Sequence, residues 1–105
     1  MNRFGATILD ADGTRLTQEE KAFFRRANPF GFILFARNIE SPEQVRALCD
    51  EMRSCVGREA PITIDQEGGR VQRLRAPHWR EWPAPLEFVA SAGTQAEGAM
   101  YLRYK

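Results

Sequence analysis

The sequence is poor in the residues that announce several common chemistries. It has two cysteines and a single histidine in 105 residues. Cys49 and Cys55 fall in one predicted helix, where they cannot bridge, and no further Cys or His gives metal-ligand spacing. A disulfide framework and a structural metal site are thereby excluded, and a reducing, cytosolic compartment is expected. Of the two thiols, Cys49 is expected to be buried and Cys55 more exposed. No stretch approaches the roughly 20 apolar residues of a membrane span. The opening residues Met1, Asn2, Arg3, Phe4 and Gly5 lack the apolar core of a secretory signal. The net charge is only +1, with both signs interspersed. The concentrated basic face that a nucleic acid or an anionic membrane needs is therefore missing. There is no internal repeat and no low-complexity tract.

What is present reads as an ordinary globular α/β chain, 43% hydrophobic and 28% charged. Thr7-Ile8-Leu9-Asp10 and Thr14-Arg15-Leu16 flank Ala11-Asp12-Gly13, which predicts a short hairpin with Asp12 and Gly13 as turn residues. Thr17 caps the next helix, Glu20 completes a capping box, and Pro29 stops it near Ala27. Gly31-Phe32-Ile33-Leu34-Phe35-Ala36 is a continuous apolar run, as in a parallel strand covered on both faces. Ser41-Pro42-Glu43-Gln44 opens a second helix whose apolar face is Val45, Leu48, Cys49, Met52 and Val56, with Gly57 at its end. Pro61-Ile62-Thr63-Ile64-Asp65 is a second strand. Strand, helix and strand make a βαβ unit with a right-handed crossover. Residues 66–93 carry three prolines and two tryptophans without a sustained period, and read as a long loop. A last helix is expected from Thr94.

Chemistry concentrates at Ile64-Asp65-Gln66-Glu67-Gly68-Gly69-Arg70-Val71-Gln72-Arg73. Asp65 stands where a buried parallel strand runs out, the edge at which α/β barrels hold ligands. Its carboxylate is either a ligand contact, accepting from sugar hydroxyls, or a loop-organising cap. Gly68 and Gly69 permit positive φ, and Arg70 and Arg73 offer forked donors. Asp65 and Glu67 could pair as the two carboxyls of a glycosidase. The preferred reading gives Glu67 to backbone amides or to an arginine. Arg37 and Asn38 end the earlier strand and face the same rim, where they either organise the site or, in the preferred reading, pair with a neighbouring carboxylate. Trp79 and Trp82 either stack on sugar faces or, in the preferred reading, pin the long loop to the barrel rim.

The blocks Gly31-Phe32-Ile33-Leu34-Phe35-Ala36-Arg37-Asn38 and Ile64 to Leu74, with Pro77-His78-Trp79 and Trp82-Pro83 beyond them, resemble the opening of the bacterial cytosolic β-N-acetylhexosaminidases of glycoside hydrolase family 3. The resemblance runs through the chain from about Leu9. It implies a TIM (β/α)8 barrel that hydrolyses terminal β-linked N-acetylglucosamine with retention, notably from muropeptides in cell-wall recycling, without metal or cofactor. Carried across by position, Asp65 and Arg73 would bind the substrate. The family's aspartate nucleophile and its histidine-aspartate acid/base pair, part of a Lys-His-Phe-Pro-Gly-His-Gly block, have no counterpart here. No catalytic residue is assigned, and His78 is read as a loop residue beside Trp79.

A complete barrel takes about 250 residues. Residues 1–105 therefore read as an incomplete, truncated N-terminal barrel domain with about two barrel strands and their helices, inactive alone. Such a sheet is expected to expose Phe32, Leu34, Ile62 and Ile64. Two other readings stay open. One is a stand-alone sugar- or phosphate-binding module built on the Gly-Gly turn. The other is a non-enzymatic subunit completed by a second chain.

Overall fold

A computed structural model describes residues 3–91, so the helix expected from Thr94 lies outside the described residues. The chain divides into two compact units, Met1–Asp65 and Gln66–Lys105. In the first, strand β1 (Gly5–Leu9) is followed by helix α1 (Gln18–Ala27), strand β2 (Pro29–Leu34), a 3-10 turn (Ala36–Asn38), helix α2 (Pro42–Val56) and strand β3 (Ile62–Ile64). The three strands form one parallel sheet in the order β1-β2-β3. The second unit holds a short antiparallel pair, β4 (Gln66–Gly68) and β5 (Val71–Gln72), and helix α3 (Pro85–Ser91).

The helix ends follow their local chemistry. The Thr17 hydroxyl accepts from the Glu20 amide at 3.0 Å, and the Glu20 carboxylate accepts from the Thr17 amide at 2.9 Å. These reciprocal bonds satisfy donors that a helix start leaves open. Ser41 and Gln44 repeat the device on α2, with Pro42 behind the cap. Both helices close on left-handed residues, Asn28 at φ 43° and Gly57 at φ 66°.

Register decides which sheet face is covered. Leu9 pairs with Phe32 and Phe32 with Ile62; Leu34 pairs with Ile64. These residues face α1 and α2, whose Phe24, Leu48, Met52 and Cys55 complete the core. The intervening positions Ile8, paired with Gly31, and Ile33, paired with Thr63, point the other way. There Ile8 is 50% exposed, and Thr63 is exposed as well. Gly31 is required by close strand approach: a Cβ there would lie 2.6 Å from the Pro61 carbonyl oxygen.

Several expectations are corrected. The predicted hairpin of residues 7–10 and 14–16 does not form. Its first arm is β1, which pairs in parallel with β2 across α1, so the sheet has three strands where about two were expected. The second arm is an irregular connection whose backbone bonds to side chains instead. The Thr14 carbonyl accepts from Gln44 Nε2 at 2.8 Å, and the Leu16 amide donates to Glu51 Oε1 at 3.3 Å. Phe32 and Leu34, expected to be exposed, are buried under the two helices. The thiols are also reversed. Cys55 is buried and Cys49 half-buried, because Cys55 continues the Leu48–Met52 stripe into the core. Burial pushes both thiols up, toward the protonated form.

Glu51 ties the first unit together. Its carboxylate accepts from Arg15 Nε at 2.7 Å and lies 3.3 Å from Lys21 Nζ, in addition to the Leu16 amide. The hydrogen bond from Arg15 is the main reason its carboxyl is held below the usual range, against the opposing effect of burial. A depressed folded-state value means stability that is present above the unfolded value, about 4.3, and lost as pH falls through the folded one. Glu51→Gln should therefore destabilise the chain at pH 7 by about 1 kcal/mol. In urea unfolding the gap between variant and wild type should close as pH falls below about 4. A gap that stays constant down to pH 2.5 would show that the charge is irrelevant.

Candidate functional site

At the C-terminal ends of the parallel strands the first unit gathers polar residues. Asp10 follows β1, Arg37 follows β2 and Asp65 follows β3. Arg37 reaches sideways toward β1. Its terminal nitrogen is paired with the Asp10 carboxylate, and its Nε donates to the Ala11 carbonyl at 3.1 Å. The guanidinium carbon also lies 4.9 Å from the centre of the Phe35 ring. The ion pair expected for Arg37 is thus present.

Asn38 is the hub of this edge, and it is completely buried. Its Nδ2 donates to the Ala11 and Gly13 carbonyls at 3.0 and 2.7 Å, while its Oδ1 accepts from the Phe35 amide at 2.8 Å. Gln44 Nε2 in turn donates to the Asn38 and Thr14 carbonyls, both at 2.8 Å. A buried amide with every bond made fixes its surroundings; a buried amide left unpaired would be costly. The Asp12-Gly13 segment, legible in the sequence only as a turn, is held in place by these two side chains.

Asp65 is exposed at the end of β3. Arg73 belongs to the second unit, half-buried just after β5, with its backbone amide donating to Gln66 Oε1 at 3.0 Å. Glu67 lies exposed on β4. Two glutamines organise the second unit. Gln66 Oε1 also accepts from the Leu74 amide, and its Nε2 donates to the Leu74 carbonyl at 2.8 Å. Gln72 is 3% exposed; its Nε2 donates to the Gly69 and Trp82 carbonyls, and its Oε1 accepts from the Trp82 amide. The Gly69 amide donates to the same Trp82 carbonyl at 2.7 Å. Gly69 has φ 62°, and a Cβ there would lie 2.9 Å from Ala84 Cβ. The Gly-Gly turn is thus locked to residues 82–84, through the backbone of Trp82 and not its indole. His78 packs against Trp79 with ring centres 5.7 Å apart, as expected. Sequence reading overlooked Gln66 and Gln72, because glutamine is usually a solvated residue and only burial reveals these two as clamps.

Among the described residues no cluster of His, Cys, Asp and Glu could hold a metal ion. No described helix is long and apolar enough to cross a membrane.

A parallel sheet with charged residues collected beyond its strand ends defines an α/β unit of the kind that binds ligands at that edge. No family model matches the chain. Individual relatives do. The chain is 49% identical over 71 residues to a β-hexosaminidase of Pseudomonas aeruginosa, covering 68% of this chain and 21% of the relative. It is 44% identical over 81 residues to the β-hexosaminidase of Alkalilimnicola ehrlichii, covering 77% and 23%. In structure it is similar to NagZ from Neisseria gonorrhoeae, solved with N-trifluoroacetyl-D-glucosamine. That match has TM-score 0.76 and 33% identity, and covers 90% of this chain and 28% of that one. A glycoside hydrolase family 3 β-N-acetylglucosaminidase from a Paenibacillus species matches with TM-score 0.71 and 26% identity, covering 86% and 18%. By sequence and by structure the chain is a relative of the β-hexosaminidases of glycoside hydrolase family 3. It spans about a fifth to a quarter of the length of the curated relatives it matches.

Asn38→Ala should remove the side-chain partner of the Gly13 carbonyl and the Phe35 amide and leave the Ala11 carbonyl to Arg37 alone, costing about 2–4 kcal/mol in urea unfolding. Asn38→Asp should be at least as damaging, because it turns an acceptor toward two carbonyls. If Asn38→Asp were as stable as wild type, the assigned donor role of Asn38 would be wrong.

Proposed function

We propose that the chain supplies the N-terminal strands and helices of a (β/α)8 barrel in a cytoplasmic β-N-acetylhexosaminidase. That enzyme releases terminal β-linked N-acetylglucosamine by retaining hydrolysis, from glycosides or from muropeptides during cell-wall recycling. One observation carries the proposal: a chain 49% identical over 71 residues to a β-hexosaminidase builds a parallel sheet with charged groups at its C-terminal edge. The bare face at Ile8 and Thr63 supports the barrel, because parallel sheets are normally covered on both faces. The sugar class is suggested by the glucosamine derivative bound to the gonococcal neighbour.

In this reading Asp65 accepts hydrogen bonds from sugar hydroxyls and Arg73 donates to the substrate. Neither reacts. The nucleophile and the acid/base pair come from other parts of a longer polypeptide, and these 105 residues alone have no turnover. A stand-alone sugar- or phosphate-binding module is the weaker reading, since the relatives are β-hexosaminidases and, among the described residues, Ile8 and Thr63 of the sheet stand exposed.

Exchange of the matching stretch of the Pseudomonas aeruginosa β-hexosaminidase for the residues of this chain tests the proposal. The chimera should fold and hydrolyse a chromogenic N-acetylglucosaminide. Within it, Asp65→Ala and Arg73→Ala should each lower kcat/KM roughly ten- to a hundredfold without unfolding the protein. Glu67→Gln should change it by less than about threefold. An unfolded or inactive chimera would contradict the barrel reading. A folded, active chimera indifferent to Asp65→Ala would contradict the site.

A further inference from the structure

We propose that Arg37 is a positioning residue for the substrate edge, acting through Asp10 and the Ala11 carbonyl. The inference rests on the barrel reading above. Arg37 leaves the end of the middle strand and is held at three points: the Asp10 carboxylate, the Ala11 carbonyl and the Phe35 ring. The ion-paired side chains stay 47% and 44% exposed, and pairs so exposed add little to stability. The burial-dependent bonds of the same connection belong to Asn38, which already serves the Ala11 carbonyl.

The arginine fork is therefore poorly accounted for as a stabiliser. What it does add is direction. A planar guanidinium bonded to both a carboxylate and a backbone carbonyl fixes the two in a set relation, which a single point charge cannot do. It ties the outgoing end of β1 to that of β2 in the sheet whose third strand ends at Asp65. It also takes up the charge of Asp10 at the end of β1. Small displacements of binding groups are enough to cost an enzyme an order of magnitude or more.

The test uses the chimera, with kinetics and thermal melting measured on the same samples. Arg37→Met should lower kcat/KM about tenfold, mainly through a higher KM, while Tm moves by no more than about 3 °C. Arg37→Lys, which keeps a positive charge beside Asp10 but loses the fork, should recover little of that loss. Asn38→Ala is the structural control and should lower Tm far more. An unchanged kcat/KM in Arg37→Met overturns the inference while leaving the barrel reading intact. So does a loss that follows Tm as in Asn38→Ala, a loss confined to kcat, or an Arg37→Lys as active as the parent. An inactive parent chimera overturns the barrel reading, and this inference with it.

Discussion

The Asn38 carboxamide carries the constraint on which the first unit depends. A parallel sheet must return its chain through long connections, and the backbone polar groups of those connections still need partners. Between β1 and α1 no second strand supplies them. The Ala11 and Gly13 carbonyls take Asn38, the Thr14 carbonyl takes Gln44, and the Leu16 amide takes Glu51. The Asp12 amide donates to Glu20 at 2.9 Å. All but the last of these side chains come from α2 or the turn leading into it. The first βα connection is therefore shaped by the second, and the strand ends that carry Asp10 and Arg37 are set by the same bonds.

Packing and charge are divided between the two faces and the edge of the sheet. The helix-covered face is apolar and closed around Phe24, Phe32, Leu48 and Met52, each no more than 2% exposed. On the other face Gly31 accepts no side chain because Pro61 is too near, and Ile8 and Thr63 stand open. At the incoming end, the exposed Phe4 and Phe30 rings pack at 5.4 Å, and the Arg58 guanidinium sits 4.8 Å from the Phe4 ring centre. Charged groups collect at the outgoing end instead, where ligands bind in such folds.

Much of this was legible in sequence, for reasons particular to each element. Thr17 with Glu20, Ser41 with Pro42 and Gln44, and Gly57 are local signals whose partners lie within four residues, so both long helices could be read nearly to their ends. The apolar run at Phe32 to Leu34 marked a strand whose Phe32 and Leu34 are buried under the helices, while Ile33 on the other face is only half-buried. Asp12-Gly13 misled, because it signals reversal strongly while the true partner of β1 lies beyond a helix, at β2. Nothing local encodes that pairing. The burial of Cys55 depends on where α2 rests on the sheet, and the clamping roles of Gln66 and Gln72 depend on chain segments brought back by later turns. Asp65 was marked by resemblance and by strand-end position, Arg73 by resemblance and its forked donors, and the Asp10–Arg37 pair only half so, since Asp10 was read as the end of a hairpin arm.

The side-chain amide protons of Asn38 give the most direct test. Both nitrogen-bound protons are assigned to backbone carbonyls in a site closed to water. In nitrogen-resolved NMR of the chain transferred to heavy water, the Asn38 carboxamide signals should persist with the core amides of Phe32 and Leu48, long after exposed asparagine and glutamine signals vanish. Loss of the Asn38 signals at the exposed rate, with Phe32 still protected, would contradict the account: the β1–α1 connection would then be held by something other than this buried amide.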